Sequence, residues 1–432
     1  MEYQTGRQVT EELKMGSIKN LRRIGASILV LIGTVALADD YAGPAALGTR
    51  IAIVGNTFAD QLRNHGYLEA LLQQHDSKSA VSLRNLGWAG DTLSHRDRPT
   101  NFPTEASTLS AHRADAIIAC FGMSESFAGE SGLMDFKSDL EAFIRSHRGQ
   151  SYNGSSAVRM ILVSPIAYEN LGKLTPRWEE RNGQLQRYSR AMEEVASRLE
   201  VPFVDLFEPT RSMMAESGAR RLTTNGIHLN EYGYWAVSRA LYDGLVAGAP
   251  DKAEPWRVTL DADKGIVSAE GLELTGVANS NSSIRFQAKE LRGPALPPPG
   301  EANKSKALSE FRDRLTVANL EPGNYVLRID GERVARASHE EWAKGVAVDA
   351  SPVHREAERF RESIIDKNRQ FEYSWKALNQ VHIVGERRNS ASGRELPAEV
   401  IEFREIAKRR DVDLAKGIPL ETRQWELVLD TN

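Results

Sequence analysis

Between Ile51 and Ala249, short apolar runs alternate with amphipathic stretches, and this alternation constrains the fold more than any other feature of the chain. The apolar runs are "RIAIVG" (50–55), "AVSLRNLG" (80–87), "DAIIACFG" (115–122), "RMILVSP" (159–165) and "VPFVDL" (201–206). Near-continuous apolar runs suit strands buried on both faces, as in a parallel sheet. Of the intervening stretches, "QLQRYSRAMEEVASRLE" has the clearest helical period. Leu185, Tyr188, Met192, Val195 and Leu199 fall on one stripe of a helix. Strand and helix in alternation predict an α/β domain over 50–249 with helices on both faces of a parallel sheet. Ligands of such sheets bind beyond the carboxyl ends of the strands. Gly55, Gly87, Gly122 and Pro165 stand at those ends.

After Pro250 the pattern changes. "WRVTLDADKGIVSAEGLELTG" and "RLTVANLEPGNYVLRIDGERV" alternate in polarity and carry the turn signals "EPGN" and "DG". Residues 253–348 therefore read as a small β-sandwich-like module. The prolines of "GPALPPPG" (293–300) oppose sheet pairing and mark a flexible insertion. From Ser351 the chain becomes helical and charged. Phe360, Ile364, Phe371 and Trp375 give it an apolar side, and Asn368, Arg369, Tyr373 and Asn379 suit polar recognition at the strand ends. The 351–432 extension is expected to be mainly helical.

Residues 1–38 read as an export signal. Lys19, Arg22 and Arg23 precede an apolar run from Ile24 to Ala38, and Ala36-Leu37-Ala38 offers a small-x-small cleavage site. The run is roughly 15 residues, short of the about 20 that a membrane-spanning helix needs. The expected location is periplasmic or extracellular, with membrane anchoring as the alternative if the segment is not cleaved. Met15 is the expected natural initiator. The single cysteine, Cys120, excludes an intramolecular disulfide, and its apolar setting predicts a buried thiol. With a net charge of -4 and no long basic block, nucleic acid is not an expected partner. No zinc spacing, P-loop or dinucleotide fingerprint is present, so neither metal nor organic cofactor is expected.

Four blocks sit near the predicted strand ends: "IVGNTFADQL", "NLGWAGDT", "CFGMSESF" and "TTNGIHLNEYGYWAVSRAL". In this order they resemble the SGNH/GDSL hydrolase family, over roughly residues 50–248. The resemblance implies a three-layer, flavodoxin-like sheet and ester hydrolysis without a cofactor. In that family a serine attacks the ester carbonyl and a histidine takes its proton. An aspartate orients the histidine, and backbone and amide N–H groups hold the oxyanion. Carried over residue by residue, Thr57 takes the place of the nucleophile and His228 that of the base. Asn225 stands where the orienting aspartate is expected. Thr57, Gly90 and Ser124 are the expected oxyanion donors, Ser124 in place of an asparagine. Asn56, in place of the aspartate of G-D-S, together with Trp88 and Glu125, is expected to bind substrate.

The departures weaken the electrostatics. The γ-methyl of Thr57 restricts its χ1. Asn225 is neutral and can select the wrong imidazole tautomer, a change costing about 10⁴-fold in a serine protease triad. Asn56 and Thr57 also suit a helix N-cap. Trp88 suits a sugar or a core equally, and His95, Arg96 and Arg98 suit an anionic substrate or a solvated loop. The implied activity is hydrolysis of acyl groups on carbohydrate. The alternatives are an impaired relative that binds a glycan or acylated ligand, and a structural surface protein.

Overall fold

The computed structural model describes residues 48–75, 81–98, 102–216, 220–249, 252–300, 309–377 and 386–430. The expected export signal and Asn379 lie outside these residues. Among the described residues no helix is long and apolar enough to cross a membrane.

The first part runs β1 (Arg50–Gly55), α1 (Thr57–Leu62), α2 (Tyr67–His75), β2 (Ser82–Asn85), α3 (Glu105–His112), β3 (Ala116–Cys120), α4 (Leu133–His147) and β4 (Arg159–Val163). It continues through α5 (Trp178–Arg198), β5 (Phe203–Val204), α6 (Phe207–Ala215) and α7 (Glu231–Leu245). The strands form one parallel sheet in the order β2-β1-β3-β4-β5. Successive side chains of a strand face opposite sides. Ile51 and Ile53 therefore join one core with Leu68 and Leu72 of α2 and Val237 and Leu241 of α7. Ala52 and Val54 join the other, with Leu109 of α3, Leu140 of α4 and Val195 of α5. The result is the three-layer, flavodoxin-like arrangement. β1 has β2 on one side and β3 on the other, so the chain switches direction across the sheet at β1. A crevice opens at the carboxyl ends of β1 and β3.

The second part contains β6 (Arg257–Asp261), β7 (Gly265–Glu270), β8 (Leu272–Ser280), β9 (Ser283–Glu290), β10 (Arg314–Ala318) and β11 (Asn324–Ile329). It goes on with β12 (Glu332–Ser338), α8 (His339–Lys344) and β13 (Val346–Ala347). Then come α9 (Pro352–Lys376), α10 (Ala391–Leu414) and β14 (Arg423–Leu429). Two sheets, β13-β10-β6-β7 and β12-β11-β14-β9-β8, share a core of Trp256, Leu260, Phe286, Leu315, Leu327 and Trp425.

One strand crosses the expected boundary at residue 351. β14, near the end of the otherwise helical extension, pairs antiparallel with both β11 and β9. Trp425 and Leu427 enter the sandwich core, while Gln424 and Glu426 do not. The 293–300 segment forms no strand, as its prolines dictate, yet it is tied to the first part. The indole N–H of Trp235 on α7 donates to the Leu296 carbonyl at 2.7 Å, and Leu296 is buried in the first core.

α9 and α10 do not lie over the crevice. They cover β2, the edge strand of the parallel sheet, and so protect an otherwise open row of backbone groups. Lys367 of α9 is fully buried, with Nζ 2.5 Å from Glu69 and 2.9 Å from the Leu83 carbonyl. Asn368 donates to Glu69, and Asp411 of α10 accepts from Arg84 and Ser82.

Candidate active site

β1 and β3 approach too closely at their ends for any side chain at residue 55. A Cβ on Gly55, whose φ is +140°, would lie 2.2 Å from the Cys120 carbonyl oxygen. The next N–H, of Asn56, donates to that same carbonyl at 3.2 Å. Asn56 is buried and extended, and its Oδ1 accepts from the Phe58 N–H at 3.0 Å. It caps α1, which satisfies one of the donors left unpaired at a helix start. Thr57 is thereby fixed as the first residue of α1, half-buried and facing the crevice.

The loop after β2 brings Gly90 to Thr57. The Gly90 N–H donates to Thr57 Oγ1 at 3.2 Å. Gly90 adopts φ +87°, and a Cβ there would meet nothing within 4 Å, so glycine is required for backbone conformation rather than for room.

Beyond β3, Ser124 precedes a 3-10 turn over Glu125–Ala128. It caps nothing with its side chain and lines the cavity. Glu125 turns the other way. Its carboxylate accepts from the Leu93 N–H at 3.0 Å and the Gly122 N–H at 2.8 Å. Burial pushes this carboxyl up, against the pull of those N–H groups. Glu125 joins the loops after β2 and β3 and does not line the cavity.

The loop before α7 carries His228. Asn225 Oδ1 accepts from the backbone N–H groups of Ile227 at 3.2 Å and His228 at 2.9 Å. Its amide nitrogen is thereby turned to His228 Nδ1, 2.9 Å away. An amide nitrogen only donates, so Nδ1 is the acceptor and the neutral ring carries its proton on Nε2. Thr57 and His228 share the cavity wall, but no hydrogen bond joins them. Glu169, in the loop after β4, holds the His228 loop from behind. It is buried and accepts from the N–H groups of Leu222 at 2.9 Å and Thr223 at 2.7 Å.

The cavity measures ≈ 240 Å³. Thr57, Ser124, Ser164 and His228 give it polar edges, and Phe121, Met123, Ile227 and Tyr234 an apolar interior. Cys120 also borders it, its thiol buried and pushed up to about 12, far from a thiolate nucleophile. The structure thus brings Asn56, Thr57, Ser124 and His228 to one cavity, with Gly90 and Asn225 bonded to its wall. Trp88 lies elsewhere. Its ring meets Phe102 and Trp375 edge-on at 5.8 and 5.4 Å, with the Arg98 guanidinium 4.4 Å away. It is a contact between the loop after β2 and α9. Arg98 in turn pairs with Asp91 at 2.6 Å, and Arg96 with Glu105 at 2.7 Å, so both serve the loop.

Sequence reasoning did not find Glu169 or Phe127. "PIAYENL" carries no mark of the backbone amides Glu169 will meet. Phe127, the last residue of "CFGMSESF", is exposed at the cavity mouth under the Arg181 guanidinium at 3.6 Å, and its residue type alone does not mark it for that place. Among the described residues no group of three or more His, Cys, Asp or Glu side chains is placed to hold a metal ion.

Among curated proteins none matches the chain. In solved structures, a gut microbial diltiazem-metabolizing enzyme is similar over 89% of this chain and 98% of its own, with 16% identity and a TM-score of 0.64. That likeness is of fold, and it reaches past the parallel sheet into the second part. An acetylxylan esterase from Geobacillus stearothermophilus, as a catalytic mutant, matches 46% of this chain and 94% of its own at 13% identity, with a TM-score of 0.35. A further acetyl xylan esterase matches 45% and 98% at 17% identity, again with a TM-score of 0.35. The model of the GDSL-like lipase/acylhydrolase family matches residues 47–236, which contain β1 to β5 and every residue of the cavity wall. Residues 47–236, rather than the whole chain, thus carry the match to the GDSL-like lipase/acylhydrolase family.

Proposed function

We propose that the cavity receives the acyl group of a small ester, carried on carbohydrate, and that Thr57 attacks it slowly. The observation that carries this reading is the Gly90 N–H directed at Thr57 Oγ1 across 3.2 Å. It places a backbone donor beside the attacking oxygen, where an oxyanion would form. In the step, Thr57 Oγ1 bonds to the acyl carbon and the carbonyl electron pair moves to oxygen. The Gly90 and Thr57 N–H groups and the Ser124 hydroxyl stabilise that charge. The Thr57 proton passes to His228 and on to the departing sugar oxygen, and water then releases the acid. The cavity volume suits a short acyl group, since ligand pockets for larger molecules run to about 300–1,000 Å³.

The slowness follows from Asn225. With its proton on Nε2, His228 offers Thr57 a donor where an acceptor is needed. The same hydrogen bond favours a second reading, a cleft that binds an acylated glycan without turnover. For either reading the protein is exported, on the support of the 1–38 sequence.

Hydrolysis of an aryl acetate and of acetylated xylo-oligosaccharides distinguishes the readings. Weak turnover that vanishes in Thr57→Ala and His228→Ala supports the slow hydrolase. Binding without turnover supports the second reading. If no variant binds or hydrolyses either compound, both are wrong. For export, the mature protein should begin near Asp39, and an intact terminus would count against cleavage.

A further inference from the structure

A second cavity, ≈ 670 Å³, lies at the opposite end of the parallel sheet. Thr49, Arg50 and Ser82, at the amino ends of β1 and β2, form one wall. α3 forms a second wall with Ser107, Thr108, Ala111 and His112, and α9 and α10 form a third, so the C-terminal extension closes the cavity where it docks on the β2 edge.

Its charge is one-sided. Four arginines and one lysine line it, against a single acid, Asp411. Asp411 is already engaged by Arg84 at 2.5 Å, and Lys408 by Glu405 at 2.6 Å. Arg50, Arg113 and Arg404 form no ion pair among the described residues. Arg113 donates to the Asn153 carbonyl at 3.1 Å. Clefts lined by one sign of charge with low-dielectric walls raise the local concentration of the opposite ion. Guanidinium groups also suit phosphate, sulfate and carboxylate by their planar fork of donors. The inner wall is aromatic, with Phe371 and Trp375 beside the basic groups.

We infer that this cavity binds an organic anion, with a phosphate, sulfate or carboxylate held by Arg50 and Arg404 and a ring or chain laid against Phe371 and Trp375. The site is separate from the Thr57 cavity and uses none of its residues. It gives the C-terminal extension a role beyond covering the sheet edge.

Calorimetric titration of the full chain with 1-naphthyl phosphate and with inorganic phosphate tests this. One naphthyl phosphate is expected to bind per chain. Arg50→Gln with Arg404→Gln, both on the surface, should weaken it by about tenfold or more, the scale of hydrogen bonds to charged groups. His228→Ala should leave this binding unchanged. Inorganic phosphate should bind more weakly, since it lacks the ring. Absence of saturable naphthyl phosphate binding, or equal binding by the folded double variant, would overturn the assignment. So would loss of binding in His228→Ala, which would place the anion in the acyl site.

Discussion

The side-chain amide of Asn225 donates to Nδ1 of His228 across 2.9 Å, and it cannot turn round without giving up two backbone hydrogen bonds on its oxygen. An aspartate at 225 would keep those two bonds on one oxygen and accept Nδ1–H on the other. Nε2 would then be free to accept the Thr57 proton. The opposite replacement costs about 10⁴-fold in a serine protease triad, so Asn225→Asp should raise kcat/KM toward aryl acetates by about 10²–10⁴-fold. The gain should disappear in the His228→Ala background. Steady-state kinetics of the four proteins checks both statements.

Gly90→Ala should damage chemistry more than folding. The backbone at φ +87° disfavours a Cβ by about 1–2 kcal/mol, although no atom stands in its way. Relaxation of that strain moves the N–H from Thr57 Oγ1. Loss of one oxyanion donor lowers kcat by about 10²–10³ where hydrolysis is well developed. The background for this measurement is therefore Thr57→Ser with Asn225→Asp, with thermal unfolding of the same variants as the control.

Lys367 and Glu69 form a buried pair whose members depend on each other. Burial pushes the lysine down and the carboxyl up, and their mutual attraction opposes both shifts. Lys367→Met alone leaves Glu69 buried without its cation and should cost about 3–5 kcal/mol. Lys367→Met with Glu69→Leu should recover much of this. Chemical denaturation gives both values. Limited proteolysis should show α9 released in the single variant only.

Glu290 predicts a pH dependence. Burial, with the nearby Asp313, pushes its carboxyl up to about 8. Among the described residues its Oε2 has no hydrogen-bond partner. Between about pH 4.5 and 8 the unfolded chain has lost this proton and the folded chain keeps it, so stability falls as pH rises through that window. The loss amounts to a few kcal/mol by pH 8. Glu290→Gln should remove this group's share of the slope and be more stable than the parent at pH 8. Urea midpoints at pH 5 and pH 8 decide it. Equal slopes for the two proteins would show that Glu290 is ionised when folded.

The chain's own pattern determined the parallel domain. Continuous apolar runs separated by helical stripes admit little else, and Gly55, Gly87 and Gly122 mark the strand ends where the site forms. Those signals are local, because strand and helix periods and the space around a tight turn are set by neighbours within a few residues. Thr57, Gly90, Ser124 and His228 were legible by a different route, because the four short blocks that hold them resemble those of the SGNH/GDSL hydrolase family. Tertiary structure alone decided what each side chain meets. Glu125 reads as a pocket residue in the sequence, yet two backbone N–H groups from separate loops claim its carboxylate. Trp88 suits sugar or core until Trp375, from a helix almost 300 residues later, lies against it. β14 alternates plainly enough, but its place between β9 and β11 depends on a gap in a distant sheet. The direction of the Asn225 amide, on which the proposed chemistry turns, is fixed by where the N–H groups of Ile227 and His228 point. A residue's identity records its capacity to donate, accept or pack, and only the folded chain supplies the partner.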